Sequence, residues 1–190
     1  MEDCWYYQVA YWIQEDVAKT IAKINSRSKS ISSSPVKRLL GINFQNPDAQ
    51  KASDDTDCPI YVTALDLGTA MPWTERLCND DLDVVHFSVA VVVRSKSVLA
   101  FMKELCSEKE HKPDSSHDTA DLRAFRHNQI TILQSEIKPF NRTEPEHRLY
   151  NYGDDAVVAL NLVCEYIFKK AGYDDLKPDS VKITLGQKTD

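Results

Sequence analysis

The stretch DVVHFSVAVVVR, Asp83 to Arg94, is the most strand-like segment of the chain and decides the fold. Bulky apolar side chains occupy every second position, which is typical of a strand with one buried face. The predicted buried face consists of Val85, Phe87, Val89, Val91 and Val93. β-Branched residues dominate the segment and favour an extended backbone. The stretch therefore predicts a strand in the middle of a sheet.

A helix is predicted directly after this strand. Ser95 or Ser97 can cap its first turn. Apolar residues then recur at helical spacing, namely Val98, Phe101, Met102 and Leu105. Together, the two patterns predict a strand followed by a helix that packs back on the sheet.

The segment from Cys4 to Asn25 predicts a long amphipathic helix. Its predicted core face holds Tyr6, Val9, Ala10, Ile13, Val17, Ile21 and Ile24. Four more aromatic residues lie off that face, namely Trp5, Tyr7, Tyr11 and Trp12. Exposed aromatic rings are enriched at protein interfaces, so these four form a candidate partner surface. The alternative is that loops or the C-terminal tail cover the rings within one chain.

Four further strands are predicted, over residues 36–44, 60–67, 128–140 and 157–168. The second is expected to run antiparallel to the first. In the third, the apolar register shifts between Ile132 and Leu133, which indicates a bulge or a bend. The last has a predicted core face of Val158, Leu160, Leu162, Cys164 and Tyr166.

The order of these elements predicts an α+β fold with a ferredoxin-like antiparallel sheet and both helices on one face. A strand, a crossover helix and two returning strands match half of that fold. With 190 residues, 42% of them hydrophobic, we expect one domain over 1–190. It divides into the N-terminal helix and serine-rich exit (1–34), the sheet core (35–170) and a C-terminal tail (171–190). The tail is expected to add an edge strand or to trail off.

Charge and hydropathy exclude some classes of partner. The net charge of −6 and the pI near 5.4 argue against nucleic acid, because binding phosphates requires a basic face. No apolar run approaches the roughly 18 residues of a membrane span, and no signal peptide opens the chain. Because the chain begins abruptly in a helix, we expect that an upstream anchor or signal has been removed.

The five cysteines show no paired spacing and therefore no zinc signature. Cys106 and Cys164 lie in apolar patterns and are predicted to be core residues. Cys58 and Cys78 lie in loop-like sequence and can pair in an oxidising compartment. The sequence leaves that pairing open.

No motif for catalysis or cofactor binding is present. Cys78 and His86 are candidates for nucleophilic chemistry by residue type only, and His86 is predicted to be a structural histidine within a strand. A polar stretch, 107–127, contains Lys109, His111, Asp114, His117 and Asp118. Flexible loops often hold such residues without a metal. We expect no enzyme, and no requirement for a metal, nucleotide or covalent cofactor.

Three segments together resemble a known family. They are the first helix leading into SPVKRLLGI (Ser34–Ile42), the DVVHFSVAVVVR strand with its helix, and YNYGDDAVVALNLVCEYIF (Tyr150–Phe168). Their order is similar to the soluble, periplasm-facing region of PilO-like type IV pilus assembly proteins, especially the pilus-like proteins of the planctomycete and verrucomicrobial group. The resemblance covers most of the chain and consists of hydrophobic patterns rather than chemical signatures.

The resemblance implies a ferredoxin-like structural domain below a membrane anchor and a coiled-coil helix. Its location would be the periplasmic side of the inner membrane or the cell surface. Its partners would be proteins of a pilus-like assembly, including a second copy, with membrane contact only through the anchor. The family defines no catalytic residue. The alternative is a ligand-binding or partner-recognition domain of the same fold, including one that acts on a host.

Overall fold

A computed structural model describes residues 2–44, 58–63, 74–111 and 125–187. The strands are β1 (Val36–Asn43), β2 (Leu82–Arg94), β3 (Lys109–His111), β4 (Phe125–Pro139) and β5 (Val157–Lys169). The α-helices in the described part are α1 (Glu2–Asn25), α2 (Val98–Leu105) and α3 (Asp179–Thr184). The predicted α+β class with an antiparallel sheet is confirmed.

The sheet has the order β1-β2-β5-β4-β3, and every neighbouring pair is antiparallel. Four strands form its main body, and the three-residue β3 extends it along one end of β4. Because β2 and β4 both run antiparallel to β5, they run parallel to each other on either side of it. The connection from β2 to β4 contains α2. This arrangement is a split β-α-β unit.

The alternation predicted for the central strands is confirmed. Val85, Phe87, Val89, Val91 and Val93 of β2 are each 2% exposed or less and belong to one core cluster. The predicted face of β5 joins the same cluster, with Val158 partly buried at its end. Both faces point to the same side because the strands pair residue by residue.

Both α1 and α2 pack on that side of the sheet, as predicted. From α1 the cluster includes Val9, Ala10, Ile13 and Val17, and from α2 it includes Val98, Phe101 and Leu105. The predicted α1 residues Tyr6, Ile21 and Ile24 are only partly buried against it. The structure adds Trp5 to this core.

Bulges shape two of the strands. The predicted irregularity in β4 lies between Ile132 and Gln134. β1 contains two register shifts that its sequence did not indicate. As a result, the neighbouring Leu39 and Leu40 are both about 40% exposed, where an unbroken strand would direct them to opposite faces.

The prediction of a strand over 60–67 is wrong for the described part of that range, residues 60–63. Tyr61 forms only an isolated bridge to Val85, and the Val62 amide donates to the Val84 carbonyl at 2.9 Å. The segment lies beside β2 instead of pairing with β1. It fits there because β1 covers the edge of β2 only from Ser88 onward. Residues 64–67 lie outside the described part.

Two further expectations are corrected. The polar stretch 107–127 was expected to be a loop, yet Lys109–His111 forms β3, which is too short to show periodicity. In its described residues, 171–187, the tail forms no edge strand and does not simply trail off. It contains a 3-10 turn (Lys170–Gly172) and α3, and Val181 is buried in the core.

A buried ion pair fastens the tail to β2. The Lys177 ammonium contacts the Asp83 carboxylate, and the side chains of both are almost completely inaccessible. Gln187 completes the contact by donating to Asp83 at 3.1 Å and accepting from Lys177 at 3.1 Å. Each charge is paired and hydrogen-bonded, and these contacts offset the free-energy cost of removing it from water.

We predict that Val89→Asp is among the most damaging single substitutions. Val89 is 1% exposed between the helices and the sheet, so the variant buries an unpaired charge at a cost of about 3–5 kcal/mol. Chemical denaturation measures the loss. Ser88→Asp, on the opposite and partly exposed face of β2, is the control and should cost about 1 kcal/mol. Equal losses in the two variants would show that the face assignment is wrong.

Candidate protein-docking surface

The outward side of α1 carries a row of exposed residues that we call the outer stripe. It consists of Cys4, Tyr7, Tyr11, Gln14, Ala18 and Ala22. They follow one another at steps of three and four residues, so they lie along one face of the helix. Tyr7 is 55% exposed and Tyr11 is 57% exposed. Both tyrosines are therefore more than half exposed on the same side of the helix.

Trp5 does not belong to an exposed surface. Its side chain is 6% exposed, and its indole nitrogen donates a hydrogen bond of 2.8 Å to the hydroxyl of Tyr61. Its ring also packs edge-on against Trp12, with the centroids 5.7 Å apart. The expectation of a partner-facing Trp5 is therefore wrong, because the segment around Tyr61 covers it.

Trp12 is half-buried by two elements that lie far away in the sequence. Its ring stacks on His111 of β3, with the centroids 5.6 Å apart, and contacts Tyr173 of the tail at 5.0 Å. For this residue the alternative interpretation, cover by the tail, is confirmed. Tyr7 and Tyr11 are the two predicted interface residues that remain exposed, and a partner for them stays a prediction.

A buried polar network lies beneath α1. The carboxylate of Asp16 accepts a hydrogen bond from the Tyr166 hydroxyl at 2.5 Å and lies 3.0 Å from Nε2 of His111. Nδ1 of His111 is 2.7 Å from the hydroxyl of Tyr173. These contacts join α1 to β5, β3 and the tail. In the interior these polar groups provide one another's hydrogen-bond partners. The network therefore fixes the position of the helix.

A lysine from β3 extends this attachment. The Lys109 ammonium donates to the Thr20 hydroxyl of α1 at 3.1 Å and to the Glu104 carbonyl of α2 at 3.0 Å. Burial lowers the pKa of Lys109, although Asp16 and Glu104 counteract that effect. Its role is to hold the two helices and the β3 edge together.

A second polar cluster lies on the opposite face of the sheet, around Glu165 of β5. Its fully buried carboxylate forms an ion pair with Arg76 and accepts a hydrogen bond from Thr74 at 2.8 Å. Nε2 of His86 lies 3.6 Å away. Burial by itself would raise the pKa of Glu165, but the contacts with His86, Thr74 and Arg76 hold it below the ordinary value. The ionised carboxylate therefore attaches residues 74–76 to the sheet.

The five cysteines are all free, so Cys58 and Cys78 are not paired with each other. Burial raises the pKa of the Cys78 thiol to about 12, and its sulfur accepts a hydrogen bond from the Val84 amide at 3.2 Å. A thiol with such a pKa is protonated at neutral pH and is a poor nucleophile. Cys164 is buried in the core, as predicted, and Cys106 is only partly buried.

One group of side chains in the described part of the chain has donor atoms close enough to hold a metal ion. Glu144, Glu146 and His147 place one ligand atom each within 4.8 Å of one another. The sequence shows no periodicity here, and the 3-10 turn Pro145–His147 brings the three side chains together. The polar stretch 107–127 was the other metal candidate considered. Its His111 lies in the network beneath α1, and Asp114, His117 and Asp118 lie outside the described residues.

Comparisons with family models, with curated proteins and with solved structures found no match for this chain. Among the described helices, none is both long and apolar enough to span a lipid bilayer.

Glu165 predicts a specific dependence of stability on pH. Because its pKa in the folded protein lies below the ordinary 4.5, its ionisation stabilises the fold above that pH, and this stabilisation is lost as the pH falls through the folded pKa. Glu165→Gln removes the titrating group. We expect the variant to be less stable at pH 7 and to lose less stability than the wild type between pH 5 and pH 3.

Unfolding free energies measured across this range provide the test. Glu136→Gln is the control, since Glu136 is an exposed carboxylate whose pKa is also lowered, through a hydrogen bond from Lys138. Its effect should be small, because exposed ion pairs contribute little. Parallel curves for wild type and Glu165→Gln would contradict the assignment.

Proposed function

We propose that this chain is a non-enzymatic structural component of a type IV pilus-like assembly, similar to the soluble domain of PilO-like proteins. The observation that carries the proposal is the outer stripe of α1. Its Tyr7 and Tyr11 rings remain exposed after the chain has covered Trp5 and Trp12. Aromatic residues of this kind are enriched at the energetic centres of protein interfaces.

We also propose that the fold is ferredoxin-like with a shifted starting point. The ferredoxin-like order is β-α-β-β-α-β. Here β2, α2, β4 and β5 correspond to its first four elements. The remaining helix and strand are supplied by α1 and β1, which precede them in this chain, and β1 lies beside β2. The same six elements in the cyclic order α-β-β-α-β-β support this proposal.

The attachment of α1 supports a role in docking. The inner side of the helix is held by apolar contacts and by the buried Asp16 network. A partner that binds the outer stripe therefore meets a helix already fixed in position, and little conformational freedom is lost on binding. The stripe also has the three- and four-residue spacing with which a second helix packs. A second copy or a protein of the same assembly is the proposed partner.

The proposed location is the periplasmic side of the inner membrane or the cell surface, with membrane contact through an anchor. Its support is the sequence resemblance to the PilO-like family.

A second candidate function is ligand or partner recognition by a domain of the same fold. A cleft of about 470 Å³ between α1, α2 and the start of β1 favours it. Ile24, Pro35 and Ala100 form its apolar part. Arg27 and the Lys23–Glu104 ion pair, 2.6 Å between charged atoms, lie at its rim. This volume falls within the range of small-molecule sites.

Sedimentation velocity tests the docking proposal. We predict that the wild type self-associates with rising concentration and that Tyr7→Ser/Tyr11→Ser abolishes this without lowering the melting temperature, because both rings are exposed. Leu99→Ser/Ile183→Ser is the control. These two side chains are 78% and 66% exposed outside the outer stripe, so this variant should still associate.

Two outcomes would contradict self-association through the outer stripe. A wild type that stays monomeric at high concentration excludes a second copy as the partner and leaves only another protein of the assembly. Equal loss of association in both variants would show nonspecific apolar contact instead of a defined surface on α1.

A further inference from the structure

We propose that Glu144, Glu146 and His147 form a binding site for a divalent transition-metal ion of the zinc class. All three belong to or adjoin the 3-10 turn Pro145–His147. Nε2 of His147 lies 3.3 Å from Oε1 of Glu146 and 3.8 Å from Oε2 of Glu144. Three potential ligands therefore meet at one point of the loop between β4 and β5.

The histidine is already oriented for ligation. Its side chain is only 7% exposed, and its ring packs against Phe140 with the centroids 4.3 Å apart. Nδ1 lies 3.1 Å from the Tyr152 hydroxyl. Metal-binding histidines are commonly held in this way through the nitrogen that does not bind the ion. In the tautomer that binds metal, Nδ1–H donates to Tyr152 and the lone pair of Nε2 points towards the two carboxylates.

The position of Tyr152 is itself stabilised by the sheet. Arg38 of β1 lies 3.5 Å from the Tyr152 hydroxyl, and its guanidinium stacks 3.7 Å above the ring of Tyr150. This cation lies on the Nδ1 side of the imidazole, 3.5 Å from Nδ1. Because a guanidinium can only donate, this long contact is given up in the tautomer that binds metal, where Nδ1–H donates to Tyr152. Its charge therefore does not occupy the space between Nε2 and the glutamates. Within the described residues, Nε2 has no hydrogen bond, only its two contacts with the carboxylates.

The distances suit a small ion. Zinc bonds of about 2.0–2.2 Å to nitrogen and oxygen place neighbouring ligand atoms of a tetrahedral site roughly 3.4 Å apart. The observed separations of 3.3 and 3.8 Å are close to this value. The Glu144 and Glu146 side chains are 49% and 72% exposed, so they can rotate to complete the geometry. A dication would also relieve the repulsion between the two carboxylates.

The donor set determines the class of ion. One imidazole nitrogen with two carboxylate oxygens suits Zn²⁺ and chemically similar ions, whereas Ca²⁺ and Mg²⁺ prefer oxygen ligands alone. Three protein ligands leave a coordination position for water or for a group of another molecule. The proposal does not depend on the docking role of α1.

Isothermal titration of the purified full chain with Zn²⁺ tests the site. We expect one strong binding event, and a loss of at least about tenfold in affinity in Glu144→Gln/Glu146→Gln. Because both side chains are exposed, the metal-free melting temperature of this variant should equal that of the wild type. In NMR spectra, Zn²⁺ should shift the His147 ring signals, which His147→Gln identifies. Ca²⁺ should not compete.

Asp80→Asn/Asp175→Asn is the matched control, since it removes two negative charges from exposed residues elsewhere. It should bind Zn²⁺ like the wild type, which separates ligation from a general effect of charge. Unchanged affinity in the glutamine variant, or unshifted His147 signals at saturating Zn²⁺, would overturn the proposal. Zinc binding that disappears only when Cys4 is replaced by Ser would assign the ion to a thiol and would also overturn it.

Discussion

The pairing of β2 with β5 is the constraint on which the rest of the structure depends. The two strands pair without a register shift from Leu82 opposite Lys169 to Arg94 opposite Val157. Since side chains alternate along a strand, this register determines for both strands which residues face the helices. A slip of one residue would turn Val89 and its neighbours on the buried face away from the core. On either side of this central pair, β1 attaches to β2 and β4 attaches to β5, and β3 attaches in turn to β4.

The two faces of the sheet are closed in different ways. One face is covered by α1 and α2 and forms the main apolar core. On the other face, Val92 packs with Tyr152 and Val157 near one end of β2. Glu165 is also buried on this face, where it contacts Arg76 and Thr74. Burial of this charge is tolerated because each contact favours the ionised form.

The same helix connects the core with the proposed function. Its inner side is fixed by the core and by Asp16, and its outer side presents Tyr7 and Tyr11. A rigid helix with exposed aromatic rings is the kind of element through which structural proteins associate. The proposed metal site lies on a separate loop, so an ion there and a partner at α1 can be investigated independently.

Local periodicity in the sequence was sufficient to predict α1, α2, β2, β4 and β5. The core faces of β2 and β5, and the bulge near Ile132, also followed from it, because a buried face imposes a repeat of 2 or 3.6 residues. Short elements without a repeat were not predictable in this way. β3 has only three residues. The tail helix α3 has six residues, and Val181 is the one that is buried in the core.

The tertiary structure alone decided how the polar and aromatic side chains are used. Asp16 meets His111 and Tyr166 across 95 and 150 residues of sequence, and Trp5 meets Tyr61 across 56. No local pattern encodes such separations. Of the residues predicted for an interface, Trp5 is covered by the chain itself, whereas Tyr7 and Tyr11 are exposed and an interface there stays a prediction. The Glu144–Glu146–His147 group is local in sequence, yet its histidine is oriented by Tyr152 and by Arg38 of β1. Periodicity reports which side of an element is buried, whereas the partner of a particular polar group depends on how distant segments pack.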